Sequence, residues 1–263
     1  MSLVFAAITP HPPLLIPAIG KEKLETITNT KKAMDLLAGE LYLAKPNVII
    51  IISPHSSIFP DAFSVNAHTH FVSSFETFGD LATKKDWAGA PDLAASVSHK
   101  ANSLHVPIQQ VSQEGLDHGA AVALYCLTDH LPDVKVLPIG YSALTKEDHI
   151  RFGELLKEVI MNEDKRVAVI ASGDLSHCLT QDSPAGYKAA GKKFDETLIQ
   201  NLESGSFDSL VGLDDVMVKE AEECVYRSLL ILLGVVRQMN VRFSKYSYEC
   251  PLGVGYLVGN FSF

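Results

Sequence analysis

The chain has 263 residues, 47% apolar and 20% charged, which excludes a disordered or collagen-like polymer and leaves room for one large α/β domain or two small ones. Lys plus Arg total 22 against 31 Asp plus Glu, a formal net charge of −9, so a protein that wraps nucleic acid by neutralising phosphates is not expected. The cysteines Cys126, Cys178, Cys224 and Cys250 form no CxxC pair, which removes a zinc-ribbon reading.

The opening MSLVFAAITPHPPLL is apolar but has no basic leader, so Leu3 to Ile8 reads as a first core strand rather than a secretory signal. Residues 31–43 place Ala33, Met34, Leu37 and Leu41 at helical spacing. Val48 to Ile52 is β-branched on both faces without alternation, as a strand buried on both sides must be, and it stops at Ser53-Pro54-His55. Phe63 to Phe71 alternates and is expected as an edge hairpin, and the loop-rich stretch from Ser73 to Leu93 as a flap over the site. Gly119 to Leu131 reads as a helix with Asp117 or His118 at its start. Val134 to Ile139 follows as a strand, Glu147 to Met161 as a helix, and Arg166 to Ala171 as a buried strand ended by Ser172-Gly173-Asp174. Ala189 to Leu202 and Val216 to Val236 are helical stretches, and Val241 to Val258 holds two strands broken by Pro251 and Gly253. No linker, repeat or charge block divides the chain, so the expectation is a single α/β domain over residues 1–263, with a mixed central sheet and helices on both faces. No apolar run approaches membrane-spanning length, and the expected location is a reducing cytoplasm.

Three histidines stand just past the ends of predicted buried strands: His11, His55 and His177. In open α/β sheets the ligand crevice lies outside the carboxyl ends of the strands, so these residues converge on one edge. Glu249 lies in an otherwise apolar final region, where a carboxylate needs a cation or donors; it either joins a metal or pairs with Arg227, Arg237 or Arg242. Two imidazoles and a carboxylate form the facial triad suited to non-haem Fe(II), which His11, His55 and Glu249 would supply, leaving His177 as acid and base. Strand alternation allows only one of Glu249 and Cys250 to face the site, and Cys250 is expected to pack away from it. Asp174 either closes a turn or orients a neighbour.

The strings PHPPLL, SPHSS, LDHGAAVAL, SGDLSH, AEECVYRSLLILLG and YECPLGVGY, in this order, resemble the class III extradiol ring-cleavage dioxygenases. This is the LigB-type family, which also includes the Memo proteins and DOPA dioxygenases. The resemblance places His11 and His55 on the family's two histidine ligands, Glu249 on its metal carboxylate, His177 on its catalytic base, and His118 on a histidine that contacts substrate or oxygen. It implies an Fe(II) cofactor, with zinc able to occupy the same ligands in purified protein, and a catechol-like or aminophenol-like aromatic substrate cleaved with molecular oxygen. The acidic balance and the short apolar runs predict no nucleic-acid or membrane partner, and a homodimer is an expectation of the resemblance alone. The alternative it carries is a Memo-like metal-binding protein with a role in redox handling or a modification system, since a shared fold does not fix a function.

Overall fold

Unbroken β-branched runs can bury both faces only in the middle of a sheet, and that is where they lie. The computed structural model describes residues 2–263. In chain order its elements are β1 (Leu3–Thr9), α1 (Pro17–Gly20), α2 (Thr28–Ala44), β2 (Val48–Ser53), β3 (Phe63–Asn66), β4 (His70–Val72), β5 (Asp86–Ala88), α3 (Pro91–Leu104), β6 (Ile108–Val111) and α4 (His118–Leu127). There follow β7 (Lys135–Gly140), α5 (Lys146–Met161), β8 (Val167–Ser172), α6 (Ala189–Glu203), α7 (Phe207–Val211), α8 (Asp215–Glu220), α9 (Tyr226–Val236), β9 (Arg242–Glu249) and β10 (Tyr256–Ser262).

Eight strands form one mixed sheet in the order β6-β3-β7-β2-β8-β1-β10-β9. The central strands β7, β2, β8 and β1 run parallel, and β10 and β9 add an antiparallel edge. In register, Ser53 pairs with Gly140 and Ser172 with Thr9, so the four central strands end level with one another. The loops carrying His11, His55 and His177 therefore leave from one edge of the sheet.

The pleat sends alternate side chains to opposite faces. Ile50 and Ile52 pack with α3, α5, α6 and α9, while Ile49 and Ile51 pack with α2 and α4. All four isoleucines are fully buried, and each burial contributes about 1.5–3 kcal/mol.

Two expectations are corrected. Phe63 to Phe71 is not an edge hairpin: β3 lies inside the main sheet between β6 and β7, whereas β4 pairs with β5 in a separate two-stranded sheet. The chain leaves the main sheet after Asn66, whose side-chain amide donates to Gln113 O and whose amide oxygen accepts from Gln113 N. Val216 to Val236 is not one helical stretch either. Ala221 O accepts from His177 N, Cys224 N donates to Asp174 O, and Glu222 takes a left-handed φ of 52°, so the chain is held open between α8 and α9 by the loop after β8.

Helices α5 and α9 touch through glycines. A Cβ on Gly153 would collide with Ile231 O and stand 2.7 Å from Gly234 Cα, and one on Gly234 would stand 2.8 Å from Gly153 Cα. Backbone on both sides leaves no flexible side chain to yield. Gly153→Ala is expected to destabilise the fold by about 2–4 kcal/mol in denaturant unfolding, with the midpoint moving and the slope unchanged.

Candidate metal centre

Each histidine of the centre is set by hydrogen bonds at the ends of the central strands. The His11 backbone N–H donates to Asp174 Oδ1 at 2.9 Å. Ser172, the last residue of β8, donates its hydroxyl proton to Gly119 O at 2.7 Å. Its lone pair therefore accepts from His11 Nδ1–H across 3.0 Å. That tautomer leaves His11 Nε2 unprotonated, 3.1 Å from His55 Nε2. On the neighbouring strand, Ser53 ends β2, accepts from the His55 backbone N–H at 3.3 Å and donates to Asp117 Oδ1. Asp117 caps α4 by accepting from Ala120 N at 3.0 Å, which fixes the first helical residue, His118, beside His55. The His55 and His118 rings stack with centroids 4.0 Å apart.

One ring nitrogen each from His11, His55 and His118 lies within 4.8 Å of the other two, close enough to share a metal ion. Burial drives the His11 pKa down to about 3, with His55 adding to the effect. The pKa values of His55 and His118 are also lowered, in each case chiefly by burial and then by a neighbouring imidazole. All three are neutral near pH 7, the state in which imidazole binds a divalent cation. Three neutral imidazoles converging on one point, one of them with its tautomer set by Ser172, fit a first-row metal.

Further donors border the His11 side. Asp174 Oδ2 stands 3.9 Å from His11 Nε2 and 4.0 Å from His177 Nε2. Burial raises the Asp174 pKa, opposed by the His11 backbone N–H and the surrounding histidines. Cys224 Sγ lies 3.8 Å from His11 Nε2, and burial pushes its thiol well above the ordinary value. His177 donates Nδ1–H to Glu222 O, which turns its Nε2 toward Asp174. Its loop is pinned by Asp195, which accepts from Ser176 N at 2.9 Å and from the Tyr248 hydroxyl at 2.6 Å; burial raises the Asp195 carboxyl to about 6. The segment expected as a flap does reach the centre, since the Phe78 ring stands 5.4 Å from that of His118.

Glu249 is expected as the third ligand of the metal. The structure does not bring it to the histidines. Its Oε1 accepts from Thr30 N at 2.7 Å and Thr30 Oγ1 at 2.6 Å, and its Oε2 accepts from Asn29 Nδ2 at 3.1 Å. It ends β9, the edge strand, two places from β1, and reaches the first turn of α2. That turn offers unpaired N–H groups and the positive end of the helix dipole, which favour a carboxylate. His118, expected beside the metal ligands, is instead among the three converging imidazoles, and neither Glu249 nor Cys250 belongs to that cluster.

The residues that sequence reasoning passed over are Ser53, Ser172, Cys224 and Asp195. Two had a signal: a serine at the last position of a buried strand, immediately before a histidine loop, is placed to fix that loop. Gly119 also finds its reason, because a Cβ there would stand 2.5 Å from Ser53 Oγ and 3.2 Å from His55 Cδ2.

The family model described as the catalytic LigB subunit of aromatic ring-opening dioxygenase matches residues 5–259. Protein CA_C1420 of Clostridium acetobutylicum is 31% identical over 265 residues, covering 97% of this chain and 57% of its own length, so the chain spans little more than half of that relative. The crystal structure of uncharacterized protein JW3007 from Escherichia coli K12 superposes with a TM-score of 0.69 at 17% identity, covering 98% of this chain and 99% of the other, which shows a shared fold. Among the described residues no helix is long and apolar enough to cross a membrane.

The different placements of Glu249 and His55 separate in a metal-binding assay. Glu249→Ala is expected to retain bound metal and to lose about 1–2 kcal/mol of stability, the worth of a carboxylate at a helix start. His55→Ala is expected to lose tight metal binding with little change in stability. Metal content by mass spectrometry after dialysis, beside thermal unfolding of the same samples, checks both.

Proposed function

The chain belongs to the family of LigB catalytic subunits of aromatic ring-opening dioxygenases, and on that footing we propose that it is a non-haem Fe(II) dioxygenase opening a catechol-like or aminophenol-like ring beside its two ortho heteroatoms. The observation that carries this reading is the convergence of three neutral imidazoles, His11, His55 and His118, next to His177, whose ring is held through Nδ1–H on Glu222 O. Zinc fits the same donors and would load readily during purification.

When bound, the metal would supply Lewis acidity toward the substrate's ortho groups and the electrons for oxygen chemistry. The chain's own residues do the rest. His177 Nε2 accepts a proton from the substrate hydroxyl, and the Asp174 carboxylate 4.0 Å away stabilises the imidazolium that results. The Nδ1–H bond to Glu222 O and the Asp195 bond to Ser176 N hold that imidazole in one orientation and tautomer. Phe78, standing over His118, offers an apolar surface that narrows water access.

A second reading is favoured by one observation. Cys224 Sγ stands next to His11 Nε2 while Glu249 is engaged with Thr30, so the donors nearest the histidines are a thiol and the Asp174 carboxylate rather than the expected glutamate. Thiolate is a softer ligand that pulls selection toward zinc or Cu(I), which suits a Memo-like protein without oxygenase chemistry.

Oxygen uptake decides between the two. Protein loaded anaerobically with Fe(II) and mixed with simple catechols is expected to consume oxygen and form a ring-opened chromophore. His177→Ala is expected to keep its metal and lose about 10²–10⁴-fold in turnover. No uptake by any loaded sample, with metal retained, would favour the second reading; loss of metal in His177→Ala would overturn the assignment of His177 as base.

A further inference from the structure

The stretch between α8 and α9 is open although its residues favour a helix. Glu220, Ala221, Glu222 and Glu223 are all good helix formers, and an unbroken helix would give Ala221 O to Val225 N and Glu222 O to Tyr226 N. In the structure both carbonyls go to one histidine instead. Ala221 O accepts from the His177 backbone N–H at 3.2 Å, and Glu222 O accepts from His177 Nδ1–H. Tyr226 N, released from that ladder, donates to Glu223 Oε2 at 2.6 Å.

The turn that makes this possible is the left-handed φ of 52° at Glu222, where a side chain crowds its own backbone. A left-handed residue past a helix end is an ordinary stop, as Lys45 and His105 show at the ends of α2 and α3. Glu222 N also turns back to its helix, on Lys219 O at 3.3 Å. What sets Glu222 apart is that the two freed carbonyls leave the helix for the loop after β8. The two segments lie backbone against backbone. Cys224 N donates to Asp174 O at 3.1 Å, and a Cβ on Gly173 would stand 2.3 Å from Val225 Cα. The Glu222 carboxylate pairs with Lys188 at 2.5 Å, and Lys188 N donates to Cys178 O at 3.0 Å, so the ion pair ties Glu222 to the far end of the His177 loop. On the opposite side Glu222, Glu223 and Cys224 wall a cavity of ≈ 880 Å³ between the β7–α5 connection and the start of α9. Open space borders the break there, and the contacts that hold it come from the His177 side.

We propose that Glu222 is a positioning residue of the centre: its left-handed backbone keeps α8 and α9 apart so that two consecutive carbonyls grip His177, one at the backbone and one at the ring. The backbone bond fixes where the ring begins, and the ring bond fixes its rotation, so Nε2 is aimed toward Asp174. Local strain of this kind persists only where neighbouring contacts over-determine it. The consequence for turnover rests on the ring-opening reading above, whereas the grip itself does not need the reaction.

Glu222→Gly and Glu222→Ala test it as a pair. Both lose the carboxylate and its bond to Lys188, so they differ in the cost of the left-handed backbone, which glycine escapes. The full chain is loaded with zinc, and the histidine ring nitrogens are followed by NMR, with the His177 signals identified by their absence in His177→Ala. Wild type and Glu222→Gly are expected to show His177 with its proton held on Nδ1, and Glu222→Ala a ring signal moved toward that of free imidazole, with zinc content equal in all three. If Glu222→Ala does not fold, Glu222→Asn, which tolerates the left-handed region, is compared with Glu222→Gln, which does not. The same ring signal in both members of the pair, or its loss in both, would overturn the assignment. The second arm measures oxygen uptake by the Fe(II)-loaded variants with simple catechols. Glu222→Gly is expected to exceed Glu222→Ala about fivefold or more in kcat, with KM within about twofold. Equal kcat despite different ring signals would overturn the consequence for turnover. A difference in ring signal with no oxygen uptake by any sample, wild type included, would uphold the grip and overturn the ring-opening reading.

Discussion

The centre depends on two serines that end buried strands. Ser172 at the end of β8 joins Gly119 O to the His11 ring, and Ser53 at the end of β2 joins Asp117 to the His55 backbone. Both pull the first turn of α4 onto the sheet edge, so a helix start and two strand ends deliver three imidazoles to one place. The hydroxyls satisfy groups that would otherwise be buried and unpaired, and the tautomer they impose on His11 leaves its Nε2 lone pair bare. The tight approach explains why Gly119 follows His118: any side chain there would push the helix off Ser53.

The rest of the fold keeps that edge in position. Parallel pairing makes the central strands end level, and the loop after β8 is tied from three sides, by His11 N on Asp174, by Asp195 on Ser176 N, and by the open stretch between α8 and α9. The same open stretch carries Cys224 and leads into Arg227, so the histidine cluster and the cavity beyond it share one support. A helix running unbroken through these residues would have supplied neither.

Much of this was legible in the sequence for a physical reason. The runs at Val48 and Val167 have no polar face and can only be inner strands, and chain order then puts the following histidines at one edge. The start of α4 was legible because Asp117 is a good cap. What escaped was decided by partners distant in sequence. β3 enters the main sheet through β6 and β7, and α8 stops where its backbone is claimed by His177 and Asp174. Glu249 is expected as a ligand because a carboxylate in an apolar strand needs a cation or donors; in the structure it has the first-turn N–H and hydroxyl of Thr30, 219 residues away in sequence, and nothing local distinguishes these from a metal. The serines at the strand ends were visible as letters, but their role follows only once β2, β8 and α4 meet.

The central claim is that the metal is held by the histidine cluster and that Glu249 belongs to α2. Anomalous diffraction from crystals loaded without oxygen with Fe(II) or Mn(II) tests it most directly. The account predicts one strong peak about 2.1 Å from a ring nitrogen of each of His11, His55 and His118, with Glu249 still bonded to Thr30. A peak coordinated by Glu249 after a rearrangement of β9, or a peak away from the three imidazoles, would contradict it.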